Sequence, residues 1–265
     1  MYKIGFIGCG NMGSAMVSSL IAKEIYSPDQ ILVSHLTEEG AARSREMYGV
    51  DVTLDNRQVA AQTRLLILAV KPQFYEEVLT GIQAELTPEH LLVGIAPGKT
   101  LEWLREKSGC GVKTARFMPN TPAKVLEGMT AICIGDNVTE EETQELKKIA
   151  GSFGRFELIP ERLMDAAGAV GGCSPAFVYM FIEAMADAAV MQGMPRKMAY
   201  DFAAQAVLGS AKMVLETGLH PGTLKDQVCS PGGTTIEGVR MLEKAGMRSA
   251  MIEALTASAE KGKRM

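Results

Sequence analysis

Two stretches carry residues whose types and spacing suit chemistry. The first is Gly8-x-Gly10-x-x-Gly13, which closes a short apolar run beginning at Lys3-Ile4 and opens a helix-like segment through Ala15, Met16 and Leu20. Strand, tight glycine turn and helix N-terminus together form the dinucleotide fingerprint. Gly8 permits the turn, Gly10 admits a pyrophosphate to the backbone, and Gly13 lets helix and strand pack closely. The second stretch is Ser230-Pro231-Gly232-Gly233-Thr234-Thr235, near the middle of a polar, glycine-rich segment running from His220 to Gly238. Its hydroxyls and the amides of residues 232 to 235 form a donor-rich concavity at a helix start, which suits a small carboxylate. The plainer alternative is a helix connection with Thr234 or Thr235 as an ordinary cap.

Elements must hold these two stretches in place. After the opening helix, Ile31 to Ser34, Val50 to Thr53, Leu65 to Val70, Leu91 to Ile95, Val112 to Met118, Thr130 to Ile134 and Arg155 to Ile159 read as strands. The continuous apolar runs among them mark strands covered on both faces. A polar helix is expected from about Thr37 to Tyr48, stopped by Gly49. Asp55-Asn56 caps a short helix, and Thr139 to Glu142 is a capping box for a helix ending near Gly151. Alternating strands and helices predict a mostly parallel sheet, with the last strands antiparallel at one edge. From Glu161 the strand pattern stops. Helices are expected over Arg162 to Val170, broken at Gly171-Gly172, then over Pro175 to Gln192, Pro195 to Glu216, Thr235 to Gly246 and Arg248 to Lys261. The expected fold is α/β, an N-terminal Rossmann-type doubly wound sheet over residues 1–160 followed by an all-α dimerisation domain over residues 161–265. These helices are apolar over more than one stripe, so a second copy must supply their cover.

Ligands of such sheets sit beyond the carboxyl ends of the strands. That singles out Gly8 to Met12, Ser34 to Thr37, Val70-Lys71-Pro72, Ala96-Pro97-Gly98 and Met118 to Pro122. The second strand ends in Ser34-His35-Leu36-Thr37, with no carboxylate before Glu38 and with Arg43 a turn or two away. A carboxylate there would bind the ribose hydroxyl of NAD, so its absence favours NADP, with NADH still open.

Composition excludes several classes. The chain has 265 residues, 47% of them hydrophobic, and a formal charge of −4 without long like-charged blocks. Nucleic acid and anionic membrane are therefore poor partners. The cysteines Cys9, Cys110, Cys133, Cys173 and Cys229 are scattered, and His35, His90 and His220 have no metal-ligand spacing. Reduced thiols in a cytoplasm are expected, without a metal site. No signal peptide and no apolar run of membrane-spanning length is read in the chain.

Taken together, the fingerprint, Ala69-Val70-Lys71-Pro72, Met118-Pro119-Asn120-Thr121-Pro122 and, most specifically, Leu224 to Gly238 resemble the pyrroline-5-carboxylate reductase family over essentially the whole chain. The resemblance implies NAD(P)H-dependent reduction of 1-pyrroline-5-carboxylate to L-proline, in a homodimer that is sometimes built into a larger ring. It assigns Gly8, Cys9, Gly10, Asn11, Met12, Gly13, Ser34, His35, Asn56, Ala69, Val70, Lys71, Pro72, Ala96 and Gln227 to the cofactor. Glu161, Ser230, Gly232, Gly233, Thr234 and Thr235 fall to the substrate, with Thr235 as the contact to the imine nitrogen. Whether Thr235 donates a proton or only orients the ring stays open. The chain departs from the family pattern at Phe177, which lacks a frequent tyrosine hydroxyl, and at Gln227 and Pro97. A 2-hydroxyacid or other imine reductase is the rival, although such enzymes place a lysine on the long helix and Pro175 to Gln192 contains none. A non-catalytic NADP-binding regulator would have no need of the loop from Ser230 to Thr235.

Overall fold

Short runs of Ile, Leu and Val with no polar interruption can be covered only from both sides, and they set the centre of the fold. The computed structural model describes residues 2–109 and 111–264, so Cys110 lies outside the described residues. Its elements are β1 (Ile4–Ile7), α1 (Asn11–Ala22), β2 (Ile31–Ser34), α2 (Glu38–Tyr48), β3 (Asp51–Thr53), α3 (Asn56–Gln62) and β4 (Leu65–Leu68). There follow α4 (Tyr75–Ile82), β5 (Leu91–Gly94), α5 (Leu101–Ser108), β6 (Lys113–Met118), β7 (Gly128–Ile134), α6 (Glu140–Gly151) and β8 (Gly154–Leu158).

The eight strands form one sheet in the order β3-β2-β1-β4-β5-β6-β7-β8. β1 to β6 run parallel; β7 pairs antiparallel with β6 and parallel with β8. The expected antiparallel edge is present. Ile4 stands between Ile31 and Leu65 in register, so the chain steps to opposite sides of β1 at this point. One face of the sheet buries Val17 and Leu20 of α1 with Leu146 and Ile149 of α6. The other buries Val59, Leu79, Ile82 and Leu104 from α3, α4 and α5. Local signals start and stop the helices as expected. Asp55 accepts from the Arg57 amide, Thr139 and Glu142 close a capping box, and Gly49 ends α2 in the left-handed region.

By internal contacts the chain divides into one unit reaching Gly172, which also includes the residues from Ser258 onward, and a second unit spanning Cys173–Ala257. The remaining elements are α7 (Met164–Ala167), a π-helical turn (Gly168–Cys173), α8 (Ser174–Met191), α9 (Arg196–Thr217), α10 (Pro221–Val228), α11 (Thr234–Lys244) and α12 (Met247–Gly262). Three expectations are corrected. Gly171 and Gly172 do not break the helix; they widen it by a π turn, so that helix runs without a gap from Glu161 to Met191. By length and composition this 31-residue helix is apolar enough to cross a membrane, contrary to the expectation of no such run. The His220 to Gly238 segment is also not one loop. Pro221 at the first helical position and the His220 ring, which accepts from the Gly222 amide, start α10. Only the residues between Val228 and Thr234 remain as the connection.

Beside β4 and β5, one buried hydroxyl satisfies three backbone groups. Tyr75 Oη donates to the Leu68 carbonyl at 2.6 Å and accepts from the amides of Ile95 and Ala96 at 2.9 and 3.0 Å. Burial pushes this phenol well above its usual range. Tyr75→Phe strands those three groups, so unfolding free energy should fall by about 2 kcal/mol with an unchanged urea m-value. A wild-type urea midpoint would refute that account of the strand ends.

Candidate active site

The sheet reverses direction of winding between β1 and β4, and the crevice beyond that point is where α/β sheets hold nucleotides. The glycine turn lies there. Gly8 adopts φ +86°, and an added Cβ would stand 2.7 Å from Val70 Cγ1. A Cβ on Gly13 would meet the Gly8 carbonyl oxygen at 3.0 Å and Ala69 Cβ at 3.1 Å, so this glycine is needed for close packing. Gly10 differs: its Cβ would meet nothing within 4 Å. It points into open space at the start of α1, a helix with no side-chain cap and no acidic residue in its first turn. Unpaired N–H groups and the positive end of the helix therefore face the crevice, an arrangement that fits a pyrophosphate.

Side chains from two further elements fix this turn. The Gly8 amide donates to Ser34 Oγ at 3.2 Å, and Ser34 Oγ donates to Asn56 Oδ1 at 2.6 Å. The ends of β1 and β2 and the start of α3 are thus tied together, leaving the Asn56 amide nitrogen free for a ligand among the bonds of the described residues. Next to them lies a recess of about 290 Å³ lined by Cys9, Gly10, Asn11, Ser14, His35, Gly40, Arg43, Ser44, Met47 and Tyr48. His35 Nε2 lies 2.8 Å from Ser44 Oγ. Partial burial, and then Arg43 and Arg45, lower the His35 pKa and favour the neutral ring. Burial pushes the Cys9 thiol up to about 11, which keeps it protonated and unreactive at neutral pH. Arg43 pairs with Glu39 on the surface at 2.8 Å and remains exposed. Ser44 and Tyr48 gave no sign in the sequence; they reach the recess only because α2 turns them toward α1.

Other expected residues stand elsewhere. Ala69, Val70, Lys71 and Pro72 follow β4 directly, and Lys71 is exposed. The Ala96 amide is held by Tyr75. Glu161 has both its contacts inside the first unit. Its Oε1 accepts from the Leu101 amide at 2.7 Å and from Arg116 Nη1 at 2.8 Å. Arg116 is buried, and Glu161 lines a separate cleft of about 710 Å³. Gln227, Ser230, Gly232, Gly233, Thr234 and Thr235 belong to the second unit.

In that unit Ser230-Pro231-Gly232-Gly233 is a hydrogen-bonded turn. The Gly233 amide donates to the Ser230 carbonyl at 3.0 Å, and Gly232 takes φ +67°, which proline followed by glycine favours. A Cβ on Gly233 would collide with Ser230 Oγ at 2.4 Å. The turn delivers the chain into α11 with no side-chain cap. Ser230, Thr234 and Thr235 are exposed around free helix N–H groups, and Gln227 is exposed on α10. Among the described residues no cluster of His, Cys, Asp or Glu could hold a metal ion.

A glycine turn at the switch point of a parallel sheet, followed by an all-helical part, defines a Rossmann-type oxidoreductase. Residues 3–98 match the family described as NADP oxidoreductase, coenzyme F420-dependent, and residues 161–265 match pyrroline-5-carboxylate reductase dimerisation. The chain is 49% identical to the pyrroline-5-carboxylate reductase of Escherichia coli over 99% of its own length and 98% of that protein. It also superposes on the pyrroline-5-carboxylate reductase of Coxiella burnetii with a TM-score of 0.92 at 32% identity, covering 99% and 98% of the two chains. The Plasmodium falciparum pyrroline carboxylate reductase with NADP bound gives a TM-score of 0.90 at 32% identity, covering 99% and 97%. The chain belongs to the pyrroline-5-carboxylate reductase family.

The glycines separate binding from folding. Gly10 has φ −74°, so Gly10→Ala folds without strain. Its methyl group occupies the approach to the turn, and affinity for a nicotinamide dinucleotide should fall about tenfold or more, read by fluorescence titration. Gly13→Ala should instead lower stability by about 1 kcal/mol or more through overpacking. Equal dinucleotide affinity in Gly10→Ala and wild type would remove the phosphate from this turn.

Proposed function

We propose that this protein reduces 1-pyrroline-5-carboxylate to L-proline with NADPH. The observation that carries the reading is the pairing of two half-sites in one chain of this family: an open glycine turn at the sheet's switch point and an uncapped α11 start behind the Ser230 to Gly233 turn. Residues 1–160 serve as the cofactor-binding domain and residues 161–265 as the substrate and dimerisation domain.

Bound NADPH supplies a hydride to the imine carbon. The chain's own residues bind, orient and exclude water. Gly8 to Gly13, with Ser34 and Asn56, hold the phosphate and ribose side of the dinucleotide. His35 and Arg43 provide donors where NAD enzymes carry a carboxylate, which favours the 2′-phosphate. Ala69, Val70, Lys71, Pro72, Ala96 and Gln227 complete the cofactor set. The amides of Gly232 to Thr235 and the Ser230 hydroxyl take the substrate carboxylate at the positive end of α11. Thr235, exposed and without a hydrogen-bonding partner among the described residues, contacts the ring nitrogen that gains a proton as the carbon gains hydride. Catalysis then comes chiefly from proximity and orientation. Glu161 acts on the substrate side through what it holds, the Leu101 amide and Arg116, more readily than by contact.

The working form is a homodimer, and a ring of dimers is its extension. Large apolar side chains of the second unit stand in the open in one chain: Met180 is 67% exposed and Phe202 64%. A patch of this kind marks an interface, and a second copy of the same helices is the cover that a dimerisation domain implies. The apolar helix Glu161–Met191 is read in the same way, as buried by a partner helix. The free cysteines Cys9, Cys133, Cys173 and Cys229 agree with a cytoplasmic setting.

Purified protein should oxidise NADPH only when pyrroline-5-carboxylate is present, and initial rates should be higher with NADPH than with NADH. Absence of substrate-dependent oxidation overturns the assignment. Thr235→Ala should lower kcat by about tenfold to a hundredfold while leaving NADPH affinity and thermal stability unchanged. Wild-type kinetics in that variant would remove Thr235 from the reaction.

A further inference from the structure

The π turn at Gly168–Cys173 is where the chain leaves the first unit and enters α8. A π turn displaces carbonyls from the regular helical ladder and requires another donor for them. The donor is Asn120. Its Nδ2 donates to the Gly171 carbonyl at 2.9 Å, while its Oδ1 accepts from the Met129 amide at 2.9 Å. Asn120 is only 9% exposed and lies at the carboxyl end of β6, between Met118 and the turn Thr121–Val125. The same turn carries Lys124, whose Nζ lies 3.5 Å from Asn11 Oδ1 in the glycine fingerprint. A Cβ on Gly168 would stand 3.7 Å from the Met118 side chain, and the other end of the segment is held by Glu161 on Arg116 of β6. Gly171 and Gly172 have no side chains to fix their direction, and a Cβ on Gly172 would meet nothing within 4 Å.

We propose that Asn120 is a positioning residue for the reaction, an amide latch that fixes the π turn from which α8 continues. Both of its amide contacts go to backbone groups, the Gly171 carbonyl and the Met129 amide. The amide serves the two partners through two separate atoms, Oδ1 toward Met129 and Nδ2 toward Gly171. The neighbouring fingerprint is held separately by Ser34 and Asn56, so loss of the latch leaves cofactor binding intact. The proposal rests on pyrroline-5-carboxylate as the substrate. A wild-type protein inactive with that compound removes the functional reading, whereas an active wild type with an unaffected variant removes the latch alone.

Asn120→Asp separates the two arms of the amide. The carboxylate still accepts from Met129 but repels the Gly171 carbonyl; when protonated, it donates to that carbonyl again. In steady-state assays at mildly alkaline pH, kcat/KM for pyrroline-5-carboxylate should fall about tenfold or more, with the NADPH dissociation constant within about twofold of wild type. Relative to wild type, the variant's activity should recover as pH falls and the buried carboxyl takes up its proton, while Asn120→Ala shows the loss without recovery. Should Asn120→Asp fail to fold, Asn120→Ser carries the test, because one oxygen on a shorter arm cannot stand where both Oδ1 and Nδ2 stand, and a loss in kcat/KM without recovery is expected. Wild-type kcat/KM in whichever variant folds, a loss in Asn120→Asp equal at every pH, or a parallel loss of NADPH affinity overturns the proposal.

Discussion

The structure depends on satisfying backbone polar groups at the carboxyl ends of buried parallel strands without filling the crevice they surround. Strands covered on both faces bring their last carbonyls, and the first amides of the following turns, into a dry interior where each unpaired group costs about 1–3 kcal/mol. Water cannot do this work inside the sheet. Four side chains do it: Ser34 for the Gly8 amide, Tyr75 for Leu68, Ile95 and Ala96, Asn120 for Met129 and Gly171, and Glu161 for Leu101. The space above Gly10 stays open, and the groups that face it are those of the α1 start.

Electrostatics follows from the same arrangement. The first turn of α1 carries no acid, and the end of β2 offers Ser34 and His35 where a carboxylate would repel a 2′-phosphate. Burial and the two nearby arginines keep His35 neutral, so its contribution to a phosphate is a hydrogen bond more than a charge. Arg43 brings the charge, at little desolvation cost because it is exposed. Glu161, which is only part-buried, is balanced by buried Arg116 and by the N-terminus of α5.

Local rules made much of the fold legible. Apolar runs gave the buried strands, the three-glycine spacing gave the cofactor turn, and Asp55, Thr139 and Gly49 gave helix ends within a residue or so. What escaped needed information from distant residues. Tyr75–Ile82 and Leu101–Ser108 are helices of only two turns whose buried positions, Tyr75, Leu79, Ile82 and Leu104, gain meaning only against the sheet. Gly171-Gly172 reads locally as a stop, and only the amide of Asn120 from another strand end explains why the helix continues. The pattern around His220 hid a helix because glycine near its start suggested a loop, while proline and the histidine cap outweighed it. The candidate site divides in the same way. The residues expected at ligands lie in short motifs, whereas Ser44, Tyr48 and Arg116 carry no signature of their own, and the Met118 to Pro122 motif does not tell that Asn120 holds Gly171.

The helical part raises a different issue, because its stability cannot come from its own interior. Within Cys173–Ala257 the buried hydrophobic side chains among the described residues are Ala186, Ala199 and Ala203, all small. At about 25 cal/mol per Å² of apolar surface, three alanines offset little of the chain entropy lost in ordering several helices. Helix propensity alone does not make up that difference, since most helical stability in proteins comes from packing. The cover must therefore come from outside the unit. If a second copy supplies it, order in the Ser230 to Thr235 turn and in α11 comes with association, and the half-site proposed for a carboxylate exists in full only where the helices are paired. Assembly is then a precondition of substrate binding, while the glycine turn, held by Ser34 and Asn56 within its own unit, is complete in a single chain.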